Sequence, residues 1–128
     1  MKNTLKLMAI AILSLFSTIS IVSCSNKTSA DFVGTWKVVI HGFDKSNEYE
    51  LFTLNQDGKG DWMLMKNNEV KDEDTIKKWF YNDDNETITI IIGDDSLNFK
   101  IENESNGGNS IEGTATIWGR SYHFTMNR

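Results

Sequence analysis

One cysteine, no proline and two histidines stand in 128 residues, and each scarcity removes a class of explanation. A lone cysteine, Cys24, closes no disulfide within the chain, so the fold must rest on a hydrophobic core. With His41 and His123 the only imidazoles, the spacings of zinc sites are absent, as are a phosphate-binding loop and a nucleophile elbow. Thr53-x-Asn55-x-Asp57-Gly58 looks in part like a calcium loop. Its first position is Thr, however, and its twelfth is Leu64 where a bidentate Glu is needed. Turn chemistry accounts better for these residues, since Asn and Asp bond their own backbone. No metal, no cofactor and no catalytic residue is therefore expected, and the chain does not read as an enzyme. Basic charge is also scarce, 13 Lys and Arg against 18 Asp and Glu. Such a balance leaves no electrostatic footprint for nucleic acid. Like charges form no long block, and no repeat longer than a hairpin occurs.

The N-terminus is the most distinctive segment. Lys2 and Lys6 stand at the head of an apolar run that extends from Leu5 to Val22, and small residues lead to Cys24. A basic start, an apolar centre and a small-residue cut site form a secretory signal. The alternative is an uncleaved anchor helix, because about 18 apolar residues is near the lower limit for a span. Ser14, Ser17, Thr18, Ser20 and Ser23 weaken that alternative, and Ser25 to Ser29 reads as a polar tether. Ile21-Val22-Ser23-Cys24 resembles the lipobox of bacterial lipoproteins. The resemblance implies cleavage before Cys24, diacylglycerol on its sulfur and an acyl chain on its new amino group. Several acyl chains hold a protein to a membrane far more firmly than one. Ser25 follows where Asp would signal inner-membrane retention, which implies the outer membrane. The expected organisation is residues 1–23 as signal peptide, 24–30 as lipidated cysteine and tether, and 31–128 as one domain. Loss of Lys2 and Lys6 takes the mature net charge to about −7, which anionic lipid headgroups repel.

From Trp36 onward the chain alternates apolar and polar residues in short runs closed by Gly, Asn and Asp. Trp36, Val38 and Ile40 form one apolar face; Leu97, Phe99 and Ile101 another; Ile111, Gly113, Ala115 and Ile117 a third; Tyr122, Phe124 and Met126 a fourth. Tyr49–Leu54, Trp62–Met65 and the β-branched Thr87–Ile92 complete the clear strands. Period two with β-branched and aromatic enrichment indicates a sandwich or barrel. Residues 72–81 are ambiguous, because Ile76, Trp79 and Phe80 also fall at helical spacing. The strand reading is preferred, since Asn82-Asp83-Asp84-Asn85 then turns into Thr87. Eight hairpin-linked strands can close into an antiparallel up-and-down barrel, which removes exposed edges.

Phe32-Val33-Gly34-Thr35-Trp36-Lys37 resembles the Gly-x-Trp head of the first strand in lipocalins, fatty-acid-binding proteins and their bacterial relatives. Phe52-x-x-Asn55-x-Asp57-Gly58-x-Gly60 is similar to the second hairpin of small bacterial lipocalin-like proteins. The resemblance implies a calycin-type barrel in which Gly34 turns the chain into the base and Trp36 plugs it. It also implies an arginine over that tryptophan; Arg128 is the better placed, because Arg120 falls at the opposite rim. Ligands of such barrels enter at the mouth. That end would carry His41, Phe43, Trp118, Arg120 and Tyr122 as candidate contacts, with 66–74 as a charged lid loop. His41 and His123 also fit a plain role as solvated surface residues. The chain is shorter than the larger barrels of this kind and has no helical pair. Whether Gly113 and Ala115 leave a cavity or receive Trp62 or Phe99 stays open. The expected function is therefore a lipid-anchored binder of a small hydrophobic ligand or envelope lipid. The alternative is a barrel that binds a protein partner, such as an exported protease, a lysozyme or another envelope protein.

Overall fold

A computed structural model describes residues 27–128, so Cys24 and the leader lie outside the described residues. Eight antiparallel strands follow one another around a closed barrel: β1 (Gly34–His41), β2 (Glu48–Leu54), β3 (Gly60–Lys66), β4 (Glu69–Asn82), β5 (Thr87–Ile92), β6 (Asp95–Ser105), β7 (Ser110–Ile117) and β8 (Arg120–Asn127). Closure comes from β1 pairing with β8, with Val38 opposite Met126 and Ile40 opposite Phe124. Every strand thus has two neighbours, and no edge of this sheet is left to template aggregation.

Alternation decides what fills the interior. Trp36, Val38 and Ile40 of β1 are fully buried, as are Phe52 of β2, Ile88 and Ile90 of β5, Phe99 of β6, Ala115 of β7 and Phe124 of β8. Phe99 sits edge-on to both Phe52 and Phe124, with centroids 5.7 and 5.1 Å apart, the arrangement that aromatic quadrupoles favour. The lower and middle barrel is therefore a packed core. Gly113 and Gly60 permit this closeness. A Cβ at Gly113 would run into the carbonyl oxygen of Lys100, and one at Gly60 into that of Thr53.

The segment that was ambiguous in sequence is a strand, and its helix-like spacing has a cause. Ile76 pairs with Ile92, and the next pair is Lys78 with Ile91, so Lys77 is an extra residue. That bulge resets the alternation and brings Ile76 and Trp79, three apart, to the same interior. A second irregularity places Lys71 as an extra residue between Val70 and Asp72. The expected lid loop over 66–74 is not a loop. β4 begins at Glu69, and only Asn67 and Asn68 separate it from β3, with φ of 52° and 64°. Two successive positive φ values make the tight hairpin that matches strand twist, and Asn tolerates them. The last hairpin likewise turns at Trp118 and Gly119, with φ of 51° and 77°.

The base is sealed from below. A 3₁₀ turn, Ser29–Phe32, buries Phe32 against Tyr81 at 4.6 Å between centroids. Its carbonyl at Phe32 accepts from Trp36 Nε1 at 2.9 Å. The Arg128 guanidinium lies 4.3 Å from the Trp36 ring and donates through Nη1 to the carbonyls of Asp31 and Val33, both at 3.0 Å. Its Nε donates to Asn109 Oδ1 at 3.0 Å. Gly34, at φ 138°, must lack a side chain here, since a Cβ would approach Arg128 Cδ to 2.9 Å. Among the described residues the core runs from Phe32 to Met126 and the strands around it from Gly34 to Asn127, so a chain from Ser25 onward carries the whole described barrel.

Candidate functional site

Inward positions change character toward the mouth. On β2 the sequence of inward residues is Leu54, Phe52, Glu50; on β3 it is Gly60, Trp62, Leu64; on β4 it is Ile76, Asp74, Asp72. On the far side β5, β6 and β7 continue apolar to the rim with Ile92, Leu97 and Ile117. The result is a cavity of about 420 Å³ with one acidic wall and one apolar wall. Phe43 and Asp44 from the β1–β2 connection, Asp94 from the β5–β6 turn, Asp95 at the start of β6, and Trp118 complete its rim. Among the described residues no Lys or Arg lines it.

Glu50 is the residue that departs from ordinary barrel chemistry. It is 2% exposed, the one charged residue buried among the apolar side chains of the described core. Its Oε1 accepts from Trp62 Nε1 at 2.8 Å. Its Oε2 has no hydrogen-bond donor among the described residues. The group beside it is the Asp44 carboxyl, whose Oδ2 accepts from the backbone N–H of Ile40 at 2.8 Å. Burial, then the hydrogen bond and negative charge of Asp44, push Glu50 up to about 9. Burial also raises Asp44 above its ordinary value. Two carboxyls in contact, one of them out of water, cannot both be ionised cheaply, so the pair holds one proton at neutral pH. Glu48, at the outer end of the same wall, moves the other way. It accepts from the Lys45 backbone N–H at 2.9 Å and contacts Lys71 Nζ at 3.4 Å, which favours its ionised form.

Of the five mouth residues singled out from sequence, Phe43 and Trp118 line the cavity. His41 does not: it follows inward Ile40, so the pleat turns it outward, where it stacks on His123 at 5.2 Å. Arg120 opens β8 exposed and outside the lining. Tyr122 stands behind the rim, edge-on to Phe43 at 5.5 Å, supporting the wall rather than facing the cavity. Trp118 is 70% exposed, held by Nε1 donating to Asp95 Oδ1 at 3.0 Å and by edge contact with Phe43 at 5.6 Å. The residues missed were the inward acids. Glu50 is in phase with Phe52 and Leu54, a legible signal; Asp72 and Asp74 are in phase with Ile76 but looked like loop composition.

Other depressions are less suited to a ligand. A cleft of about 200 Å³ at the base, between Lys27, Tyr81 and Glu104, is bridged by the Lys27–Glu104 ion pair at 3.2 Å. A groove of about 480 Å³ along the outer face of β6–β8 has Ile111 as its single apolar residue. Among the described residues no group of three or more His, Cys, Asp or Glu side chains is gathered closely enough to hold a metal ion. In comparisons with known proteins, no family model, no curated protein and no solved structure matches the chain.

Proposed function

We propose that this is a lipocalin-like lipoprotein, anchored through acylated Cys24 to the outer membrane, that binds a small amphiphile at the barrel mouth without chemistry. The observation behind this reading is the mouth cavity of about 420 Å³, standing above an interior that is otherwise filled. A volume of this size falls within the usual range of small-molecule sites, roughly 300–1,000 Å³. The apolar wall of Ile92, Leu97 and Ile117 gives such a ligand somewhere to leave water. The Gly34, Trp36 and Arg128 arrangement at the base agrees with the architecture to which the sequence bears resemblance. The test is native mass spectrometry of the protein from Ser25 onward, purified from its own host, before and after gentle denaturation. A reproducible small molecule released on denaturation is the expected result. A bare mass, together with no uptake of a hydrophobic dye, would refute the reading.

A second reading has one observation in its favour. Trp118 projects from the rim at 70% exposure, and large aromatics at a rim are frequent anchors for protein partners. A pull-down that loses its partner on Trp118→Asn would favour that reading, because Asn is compatible with the positive φ there.

A further inference from the structure

Amphiphiles differ in head-group charge, and the mouth discriminates among them. The cavity sets Asp44, Glu48, Glu50, Asp72, Asp74, Asp94 and Asp95 around one space, with apolar side chains opposite. An acidic cluster alone is only a solvated surface. Here one member differs from the rest, since Glu50 lines the cavity at 2% exposure, its Oε2 meets no N–H donor among the described residues, and the group it bonds is a second carboxyl, that of Asp44. Two adjoining carboxyls repel when both are ionised, and a ligand that brings donors and positive charge relieves that repulsion.

Resting on the small-ligand reading, we propose that the ligand is an organic ammonium ion. Its N–H groups are directed at the Glu50–Asp44 carboxyl pair, with the charge of Asp72 and Asp74 on the same wall, and its hydrocarbon body lies against Ile92, Leu97, Ile117 and Trp118. A fatty acid or anionic phospholipid would bring a negative head group into this ring of carboxylates, which is repulsive. A metal ion fits less well, since no three ligating side chains are gathered among the described residues. An ammonium joined to a short hydrocarbon matches both walls at once. The open face of Trp62 or Trp118 can add cation–π attraction.

In the free protein one proton is held between Glu50 and Asp44. The incoming R–NH₃⁺ supplies donors and positive charge in its place, so that proton leaves to solvent and both carboxylates become ionised beside the cation. The charged groups that share the cavity with the pair are Glu48 from β2, Asp72 and Asp74 from β4, Asp94 from the β5–β6 turn and Asp95 at the start of β6. Lys71 is engaged with Glu48 at 3.4 Å, and His41 acts on Asp44 from outside. Binding should therefore strengthen as pH rises from 6 to 8, while the amine itself stays protonated.

The test is titration calorimetry of the protein from Ser25 onward at pH 7 with octylammonium chloride, 1-octanol and sodium octanoate, each below its aggregation threshold. Buffers of different ionisation enthalpy give the protons released. Octylammonium should bind at least about tenfold more tightly than octanol, the equivalent of one charge-assisted hydrogen bond, and octanoate should be weakest. About one proton should be released per octylammonium bound, and none with Glu50→Gln. In a second variant, Asp72→Asn with Asp74→Asn, both changes fall on exposed residues, so folding is not at risk. It should lose affinity for octylammonium several-fold and leave octanol unchanged. Equal affinity for octanol and octylammonium, or preference for octanoate, overturns the ammonium assignment and leaves the small-ligand reading in place. Failure of all three probes to bind overturns both.

Discussion

Replacing Glu50 by glutamine should remove a pH dependence of folding stability that the wild-type protein carries between about pH 5 and pH 8. Glu50 is raised from 4.5 to about 9, first by burial and then by Asp44. Below the unfolded value both states are protonated, so this group contributes no slope. Between the two values the folded state holds a proton that the unfolded state has released, so stability falls as pH rises, and above about 9 it levels off. One extra proton corresponds to about 1.4 kcal/mol per pH unit, hence roughly 4 kcal/mol across three units if the pair keeps its proton throughout. The glutamine amide cannot titrate, still accepts from Trp62 Nε1 and donates an N–H to Asp44. Urea unfolding followed by tryptophan fluorescence at pH 5, 6, 7 and 8 gives both slopes. The difference between variant and wild type isolates this site from the other carboxylates. The two proteins should be nearly equal in stability at pH 5 and the variant clearly more stable at pH 8. Parallel slopes, within about 0.3 kcal/mol per pH unit of one another, would refute the proton-sharing argument.

Arg128→Ala removes a guanidinium from the Trp36 face together with its bonds to Asp31 O and Val33 O. It should lower unfolding free energy by about 2–3 kcal/mol, with Arg128→Lys recovering less than half because an ammonium lacks the fork. Gly113→Ala places a methyl well inside contact distance of Lys100 O, so β6 and β7 must separate; a loss of about 3 kcal/mol is expected in equilibrium urea unfolding. Trp118→Asn keeps the positive-φ turn and should change stability by no more than about 0.5 kcal/mol. The same substitution should weaken octylammonium binding by calorimetry about fivefold, a ring contact of roughly 1 kcal/mol.

Chain order alone settled the barrel. Period-two alternation in seven clear runs, turn residues between them and the Gly34–Trp36 head leave few other ways to bury so many aromatics without a disulfide. Burial recurs along a strand at every second residue, so that pattern is local and survives in the sequence. Phase is not local. Whether Lys71, Lys77 or Glu102 sits in the ladder or bulges out of it depends on the neighbouring strand's register. For that reason Ile76 and Trp79 imitated a helix, and an acidic strand imitated a loop. The candidate site follows the same division. Phe43 and Trp118 were legible as mouth residues because topology sorts loops by end. The acidic wall was not, because β2, β3 and β4 contribute Glu50, Trp62, Asp72 and Asp74 from distant parts of the chain. Only closure of the barrel sets them around one space, excludes water from Glu50 and brings Asp44 beside it.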